Sequence, residues 1–120
     1  MRKRAERFED LEVWQYAHKL VLETYKITRD FPGEEKFGLT SQMRRAGVSI
    51  AANIAEGFKK RGMKDKTNFY NIAQGSLEEL RYYFILSHDL GYLNAQTDAM
   101  DNLDTVGRML YGLIHSIAVK

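Results

Sequence analysis

The sequence predicts a small all-α protein, an antiparallel up-down-up-down four-helix bundle. Apolar residues recur at helical spacing along most of the chain, and no strand-like alternation persists. The 120 residues contain a single proline, at position 32, and glycines at 57, 62 and 91 mark the other expected breaks. Four amphipathic segments joined by short connections pack as antiparallel neighbours. The length suits one domain, so we expect a basic tail over residues 1–9 and the bundle over residues 10–120.

The first helix is expected over residues 10–29, with Asp10 as its N-cap. Two adjoining apolar faces together span roughly 220°, about twice the stripe of an ordinary surface helix. One face contains Leu11, Trp14, His18, Val21, Leu22 and Tyr25, and the other contains Val13, Ala17, Leu20, Thr24 and Ile27. We expect Trp14 to be largely buried. His18 has no second ligand near it in sequence, so we interpret it as a hydrogen-bonded core residue rather than a metal ligand.

The second helix is expected over residues 39–56. Its core stripe is predicted to consist of Leu39, Met43, Ala46, Ile50 and Ile54. A second surface of mostly small residues, which permits close packing, is formed by Val48, Ala51, Ala52 and Ala55. Because helices one and two both offer more apolar surface than one bundle needs, we expect further copies of the chain to cover the surplus.

A polar ridge lies between the two apolar surfaces of helix two, within roughly 80° of arc. Its members are Gln42, Arg45, Ser49, Asn53 and Glu56. Such side chains are costly to bury without partners. Two interpretations remain open: a hydrogen-bond network that fixes helix register or a subunit contact, and a ligand or catalytic site. We favour the first, and we expect Arg45, Asn53 and Glu56 to be partly buried and hydrogen-bonded.

The third helix is expected over residues 65–90 and the fourth over residues 98–118. Gly91 is the natural residue to end helix three, with Leu93 placed for the apolar contact that follows such an ending. The predicted inward face of helix three comprises Phe69, Ile72, Ala73, Ser76, Leu80, Tyr83, Phe84, Ser87 and Leu90. Helix four has one simpler stripe, formed by Leu103, Val106, Leu110, Leu113 and Ile117.

No catalytic pattern stands out in the sequence. The chain has no cysteine, which excludes disulfides, thiolate metal sites and cysteine nucleophiles. None of the three histidines belongs to a Glu-x-x-His pair, and there is no phosphate-binding glycine loop and no nucleophile elbow. We therefore expect neither an enzyme nor a cofactor or metal. No apolar run approaches the ~20 residues that cross a bilayer, and no signal peptide is evident, so we expect a cytoplasmic protein without membrane contact.

Basic residues cluster more than the net charge of +2 suggests. The stretch of residues 59–66 contains Lys59, Lys60, Arg61, Lys64 and Lys66. The tail adds Arg2, Lys3, Arg4 and Arg7, and Arg44 stands near the start of helix two. Clustered cations can bind the phosphates of RNA or DNA, but they can equally be solvated surface. A ring of subunits would favour the first interpretation, because it multiplies phosphate contacts.

Three segments resemble a known family: FEDLEVW at residues 8–14, GLTSQMRRAGVSIAANIAEG at 38–57 and AQGSLEEL at 73–80. They are similar to the four-helix-bundle proteins also called 23S rRNA-intervening sequence proteins, and the likeness extends from about residue 8 to 93. Ala51 stands where the family often has proline, which should straighten helix two. The resemblance implies a homopentamer. It also implies kinship with the accessory protein of diversity-generating retroelements, a basic pentamer that associates with a reverse transcriptase and nucleic acid.

Taken together, the sequence favours a non-enzymatic, oligomeric protein that binds nucleic acid or nucleoprotein through its basic loops. The alternative is a protein–protein interaction scaffold that does not bind nucleic acid. By analogy with the retroelement protein, a reverse transcriptase is a possible kind of partner. An enzyme is the least supported interpretation.

Overall fold

The computed structural model describes residues 4–93 and 98–118. Within these residues the chain forms four α-helices, α1 (Glu12–Thr28), α2 (Leu39–Lys59), α3 (Met63–Asp89) and α4 (Ala99–Ala118). Short 3-10 turns at Phe8–Asp10 and Gly33–Glu35 precede α1 and α2, and the described part contains no strand. The predicted all-α class is therefore confirmed.

The helices pack in an up-down bundle in chain order. Adjacent helices in the bundle are α1 with α2, α2 with α3, α3 with α4, and α4 with α1, whereas among the described residues no Cα atoms of the diagonal pairs come within 8 Å of each other. The ends of α2 and α3 that meet at residues 60–62 lie at one end of the bundle, and the α1–α2 connection lies at the other. No helix in the described ranges is long and apolar enough to cross a membrane.

The core follows the predicted stripes most closely on α2. All five predicted positions of its stripe are buried: Leu39, Met43, Ala46, Ile50 and Ile54. On α4, Leu103, Val106 and Leu110 are fully buried, while Leu113 and Ile117 pack against the core edge. The prediction for α3 is wrong at Ile72 and Leu90, which are about half exposed. Their places are taken by Tyr70 and Leu77, which continue the spacing of Ala73, Leu80 and Phe84.

Only one of the two apolar faces of α1 enters the core. Val13, Ala17, Leu20 and Thr24 are buried, and the hydroxyl of Thr24 donates to the carbonyl of Leu20 at 2.8 Å. The other face stays partly or largely exposed. The expectation that His18 is a core residue is wrong, because the side chain is exposed and stacks on Trp14 at 5.0 Å between ring centroids.

Two of the predicted helix boundaries need correction. Asp10 does not cap α1, whose N-cap is Leu11. The Asp10 carboxylate instead accepts hydrogen bonds from the backbone N–H groups of Glu6 and Arg7, each at 3.1 Å, and so caps the 3-10 turn that precedes α1. Gly57 does not break α2, which continues to Lys59. A Cβ at Gly57 would meet the Tyr70 ring at 2.5 Å, so glycine there permits the close approach of α2 and α3.

Gly91 ends α3 as the sequence predicts. Its φ of 82° lies in the left-handed region that glycine adopts without strain. The N–H of Tyr92 donates to the carbonyl of Ser87 at 2.9 Å, and that of Gly91 donates to His88 at 3.0 Å. These two hydrogen bonds form a Schellman motif, and Leu93 packs against the core beyond it.

Candidate nucleic-acid interface

The predicted basic stretch lies at the turn between α2 and α3. Because α2 extends to Lys59 and α3 begins at Met63, the turn itself is only three residues long. Lys59, Arg61 and Lys64 are exposed there. The structure records no ion pair between these three cations and a carboxylate of the described residues. Three charges therefore face solvent without neutralisation by the described part of the chain.

Two other cations of this stretch are engaged within the protein. The ammonium of Lys66 donates to the carbonyl oxygens of Gly57 at 3.1 Å and Phe58 at 2.7 Å. These belong to the last turn of α2, where the Gly57 carbonyl also accepts the N–H of Lys60 at 3.3 Å, so Lys66 helps to cap α2. Burial lowers the pKa of the Lys66 ammonium. The ammonium of Lys60 lies 5.1 Å from the ring centre of Phe69.

The basic tail approaches the same end of the bundle, because it leads into the start of α1. Arg4 is exposed, and Arg7 pairs with Glu9 at 2.6 Å. Arg2 and Lys3 lie outside the described residues.

Arg44 lies far from the α2–α3 turn. It precedes Lys59 by fifteen positions on α2, which corresponds to about 22 Å along the helix. Its Nε donates to the hydroxyl of Thr28 at 2.9 Å, and its guanidinium lies 4.6 Å from the ring centre of Tyr25. A terminal nitrogen also reaches the Tyr25 carbonyl at 3.4 Å. Arg44 thus holds the end of α1 and forms no part of the α2–α3 surface.

The first half of the polar ridge is an ion-pair network between α2 and α3. Arg45 contacts the carboxylate of Glu79 at 2.6 Å and donates from Nε to Gln42 at 3.0 Å. The hydroxyl of Tyr83 donates to the same carboxylate at 2.9 Å. The hydrogen bond from Arg45 lowers the pKa of the Glu79 carboxyl, and the same contact raises the pKa of Arg45. Both side chains remain substantially exposed, so the pair belongs to the surface.

The second half of the ridge is uncharged and more deeply placed. The hydroxyls of Ser49 and Ser76 lie 2.8 Å apart across the α2–α3 seam. The amide of Asn53 donates to the Ser49 carbonyl at 2.8 Å and to its hydroxyl at 3.1 Å. The expectation that Arg45 is partly buried is wrong, because its side chain is exposed. Glu56 is exposed as well, contrary to the same expectation. The other four members join α2 to α3 or to one another.

An apolar groove separates α1 from α2 on the outer surface. Its volume is about 330 Å³, and it is lined by Phe8, Trp14, His18, Val21, Val48, Ala51, Ala52 and Ala55. Trp14 is only partly buried, contrary to expectation, because one side of its ring borders this groove. The predicted surplus of apolar surface on α1 and α2 therefore exists and is open in the single chain.

A second groove, which the sequence pattern does not reveal, lies at the α1–α2 end of the bundle. We call it the basic groove; its volume is about 650 Å³, and its lining comprises Tyr25, Lys36, Phe37, Thr40, Ser41, Arg44, Arg45, Val48 and Ser49. Phe37 is 89% exposed. The sequence feature that could have indicated this groove is a phenylalanine beside a lysine in the polar connection between α1 and α2. Helical periodicity carries no information about residues outside helices.

The described residues contain no cluster of three or more histidine, cysteine, aspartate and glutamate side chains suited to a metal ion. Each of His18, His88 and His115 is exposed.

Comparison with known proteins adds a family assignment. The family model of the 23S rRNA-intervening sequence proteins matches residues 9–112. A solved structure from Bacteroides thetaiotaomicron, a protein of unknown function from the S23 ribosomal protein family, is similar with a TM-score of 0.79. The two chains are 23% identical over 86% of this chain and 95% of the other, which establishes the shared fold. No curated protein matches the chain.

Proposed function

Because the chain belongs to the 23S rRNA-intervening sequence protein family, we propose that it is a non-enzymatic, oligomeric protein that binds RNA or DNA through its basic α2–α3 turn. The observation that carries this proposal is the exposure of Lys59, Arg61 and Lys64 at one end of the bundle. None of these cations is paired with a described carboxylate, so each remains available to a phosphate. Lys60, which lies over Phe69, contributes further positive charge nearby.

Such a surface binds by phosphate contact rather than by reading bases. Cations at a short turn reach the nucleic-acid backbone, and backbone contacts position a protein without specifying sequence. Binding should release counterions and should weaken steeply as salt is added. The adjoining rings of Phe58 and Phe69 are partly buried, and Lys66 and Lys60 lie over them at 5.5 and 5.1 Å, so base stacking contributes little at this turn.

Assembly into a ring would strengthen this weak single site. The apolar groove beside Trp14 and Ala52 is the surface on which we place a second copy, since apolar patches of this kind mark interfaces. Contacts between unlike surfaces close into a ring when the rotation permits it, and the family resemblance implies five copies. Each copy would add its own turn to the rim, so avidity would exceed the affinity of one turn.

We propose no catalytic role, because the polar side chains that could serve one are occupied in joining helices. Arg45 and Glu79 bind each other, as do Ser49 and Ser76. We place the protein in the cytoplasm, where RNA is available and where a chain without cysteine needs no oxidising environment.

The second candidate function is a protein–protein scaffold, and the apolar groove is the observation that favours it. A protein partner could occupy that groove in place of another copy. By analogy with the retroelement accessory protein, a reverse transcriptase is one such partner.

Purification separates the two candidates at once. A nucleic-acid-binding protein carries nucleic acid through a low-salt purification and loses it in a high-salt wash. The ratio of absorbance at the nucleic-acid maximum to absorbance at the protein maximum is then high before the wash and low after it. A low ratio before the wash, with no RNA or DNA recovered, supports the scaffold.

A further inference from the structure

We propose that the basic groove binds one nucleotide unit of single-stranded nucleic acid, with the phosphate against Lys36 and Arg44 and the base stacked on Phe37. This inference rests on the proposed function and extends it, because it names single strands as the preferred ligand. It assigns base stacking to the end of the bundle opposite the α2–α3 turn.

The charge of the basic groove selects an anion. Among its described lining residues are Lys36, Arg44 and Arg45 but no aspartate or glutamate. Another surface groove, between α3 and α4, has Arg81 and Arg108 on its wall but also Glu78 and Asp104. Similar cations are balanced by carboxylates there, whereas the basic groove keeps a local excess of positive charge.

Arg44 is held in position with its charge intact. Its hydrogen bonds go to the Thr28 hydroxyl and the Tyr25 carbonyl, which are neutral oxygens, and its guanidinium rests on the Tyr25 ring. Arg45 differs, because its charge is neutralised by Glu79 at 2.6 Å. A guanidinium that is fixed by neutral partners can add a phosphate oxygen without giving up an ion pair or much side-chain freedom.

Phe37 supplies the planar surface. At 89% exposure it is the most exposed of the large apolar side chains in the described residues. The Lys36 ammonium lies over the ring, 5.5 Å from its centre, and the exposure of Phe37 leaves the other face of the ring open to a base. Every base has a π-face that can stack on such a ring, and a phosphate follows each base along the strand. The pairing of a ring with neighbouring cations therefore matches a nucleotide better than a simple anion or an apolar peptide.

Strand preference follows from the availability of the base. Bases in a duplex already stack on their neighbours, so a side-on phenyl ring reaches them only after unstacking. An unpaired base has no such cost. The α2–α3 turn, which offers only cations, should not distinguish the two forms in this way.

The test measures both forms of ligand on wild-type protein and on two matched variants. The probes are a fluorescein-labelled twelve-residue oligouridylate and a labelled blunt-ended RNA duplex, which offers no unpaired base. The variants are Phe37→Leu and, as control, Tyr82→Leu, which replaces another exposed aromatic residue outside the groove. We expect Phe37→Leu to weaken oligouridylate binding about tenfold, within the range measured for base–aromatic stacking, and to leave duplex binding unchanged. Tyr82→Leu should change neither.

The other outcomes are equally informative. Unchanged oligouridylate affinity in Phe37→Leu overturns this inference and leaves the proposed function standing. If wild-type protein binds neither probe, both are wrong. If Phe37→Leu lowers the oligomer mass in light scattering, the Phe37 side chain is a subunit contact and the nucleotide site is overturned.

Discussion

Arg45 and Glu79 lie 2.6 Å apart and join α2 to α3 at the surface of the bundle. The pair belongs to a ridge whose next two members, Ser49 and Asn53, are uncharged, and the Ser49 hydroxyl contacts that of Ser76 on α3. This arrangement explains how arginine can stand between two apolar surfaces of one helix. It also makes the ridge part of the α2–α3 seam, whereas the cations of the basic turn remain free of carboxylate partners in the described part of the chain.

The Arg45–Glu79 pair predicts a pH-dependent contribution to stability. Arg45 holds the pKa of Glu79 below the ordinary carboxyl value of 4.5, so the folded state binds this proton less tightly than the unfolded state. The contribution is present above pH 4.5 and is lost as the pH falls through the lowered folded pKa. Because the pair is substantially exposed, we expect it to contribute less than about 1 kcal/mol.

The measurement compares melting temperatures of wild type and Arg45→Gln at pH 7 and pH 3. We expect Arg45→Gln to be less stable at pH 7 and the difference to shrink at pH 3. Arg108→Gln, which removes an exposed arginine whose recorded partner is the Thr105 hydroxyl, should show no such change. An Arg45→Gln deficit of equal size at both pH values would contradict the ion-pair assignment.

The close approach at Gly57 gives a second prediction. A Cβ there would meet the Tyr70 ring at 2.5 Å and the Phe69 Cβ at 3.2 Å, so Gly57→Ala forces α2 and α3 apart. We expect a loss of about 1–3 kcal/mol in the free energy of unfolding, as for an overpacked core. Gly75→Ala is the matched control, because a Cβ at Gly75 on α3 meets nothing within 4 Å.

Urea unfolding measures both variants. Gly75→Ala should gain about 0.5–1 kcal/mol, since alanine restricts the unfolded chain and is the better helix former. Equal effects from the two substitutions would show that the helix seam at Gly57 is not sterically closed.

These two glycines show where sequence reasoning reaches its limit. The sequence predicts a break at Gly57, but both glycines lie inside helices, and the packing of Tyr70 against Gly57 is what distinguishes them. Periodicity identified the α2 stripe from Leu39 to Ile54 because its apolar residues recur at helical spacing beside the polar ridge. It could not decide which apolar face of α1 enters the core, since both carry the right spacing, and so it placed His18 inside.

The candidate site was predictable only in part, because the sequence shows which cations are clustered but not where their side chains point. Clustered lysines at the α2–α3 turn are visible in the sequence, but the capping of α2 by Lys66 depends on the direction of a side chain. Arg44 stood among the same candidates, although the helix places it about 22 Å from Lys59. Phe37 was missed because no helical pattern includes it, and Glu56 was assigned to the ridge by rotation angle alone.

The apolar groove predicts assembly. Ala52 is exposed on its wall, so Ala52→Glu places a charge on a surface that we expect another copy to cover. Burying that unpaired charge should weaken the oligomer by several kcal/mol while leaving the helical bundle folded. Asn71→Glu, at an exposed position of α3 outside the groove, adds the same charge and should have no effect.

Light scattering at micromolar concentration measures the mass, and circular dichroism checks the fold. A wild-type mass equal to that of one chain would remove the basis for a ring. An oligomer that tolerates Ala52→Glu would place the interface elsewhere on the surface.

The central claim is that the α2–α3 turn binds nucleic-acid phosphates, and a salt series of binding affinity tests it most directly. The ligand is a labelled RNA hairpin, measured by fluorescence anisotropy with wild type, with Lys59→Ser/Lys60→Ser/Arg61→Ser, and with Lys19→Ser/Lys26→Ser/Arg29→Ser as control. The control removes the same number of cations, all of them exposed, from α1 and the residue after it. We predict that the logarithm of the wild-type association constant falls linearly with the logarithm of salt concentration. The turn variant should bind more weakly, with a slope reduced by roughly one for each phosphate that it no longer binds, and the control should match wild type. Binding that is absent at low salt, or is equally weakened by both triple variants, would contradict the claim.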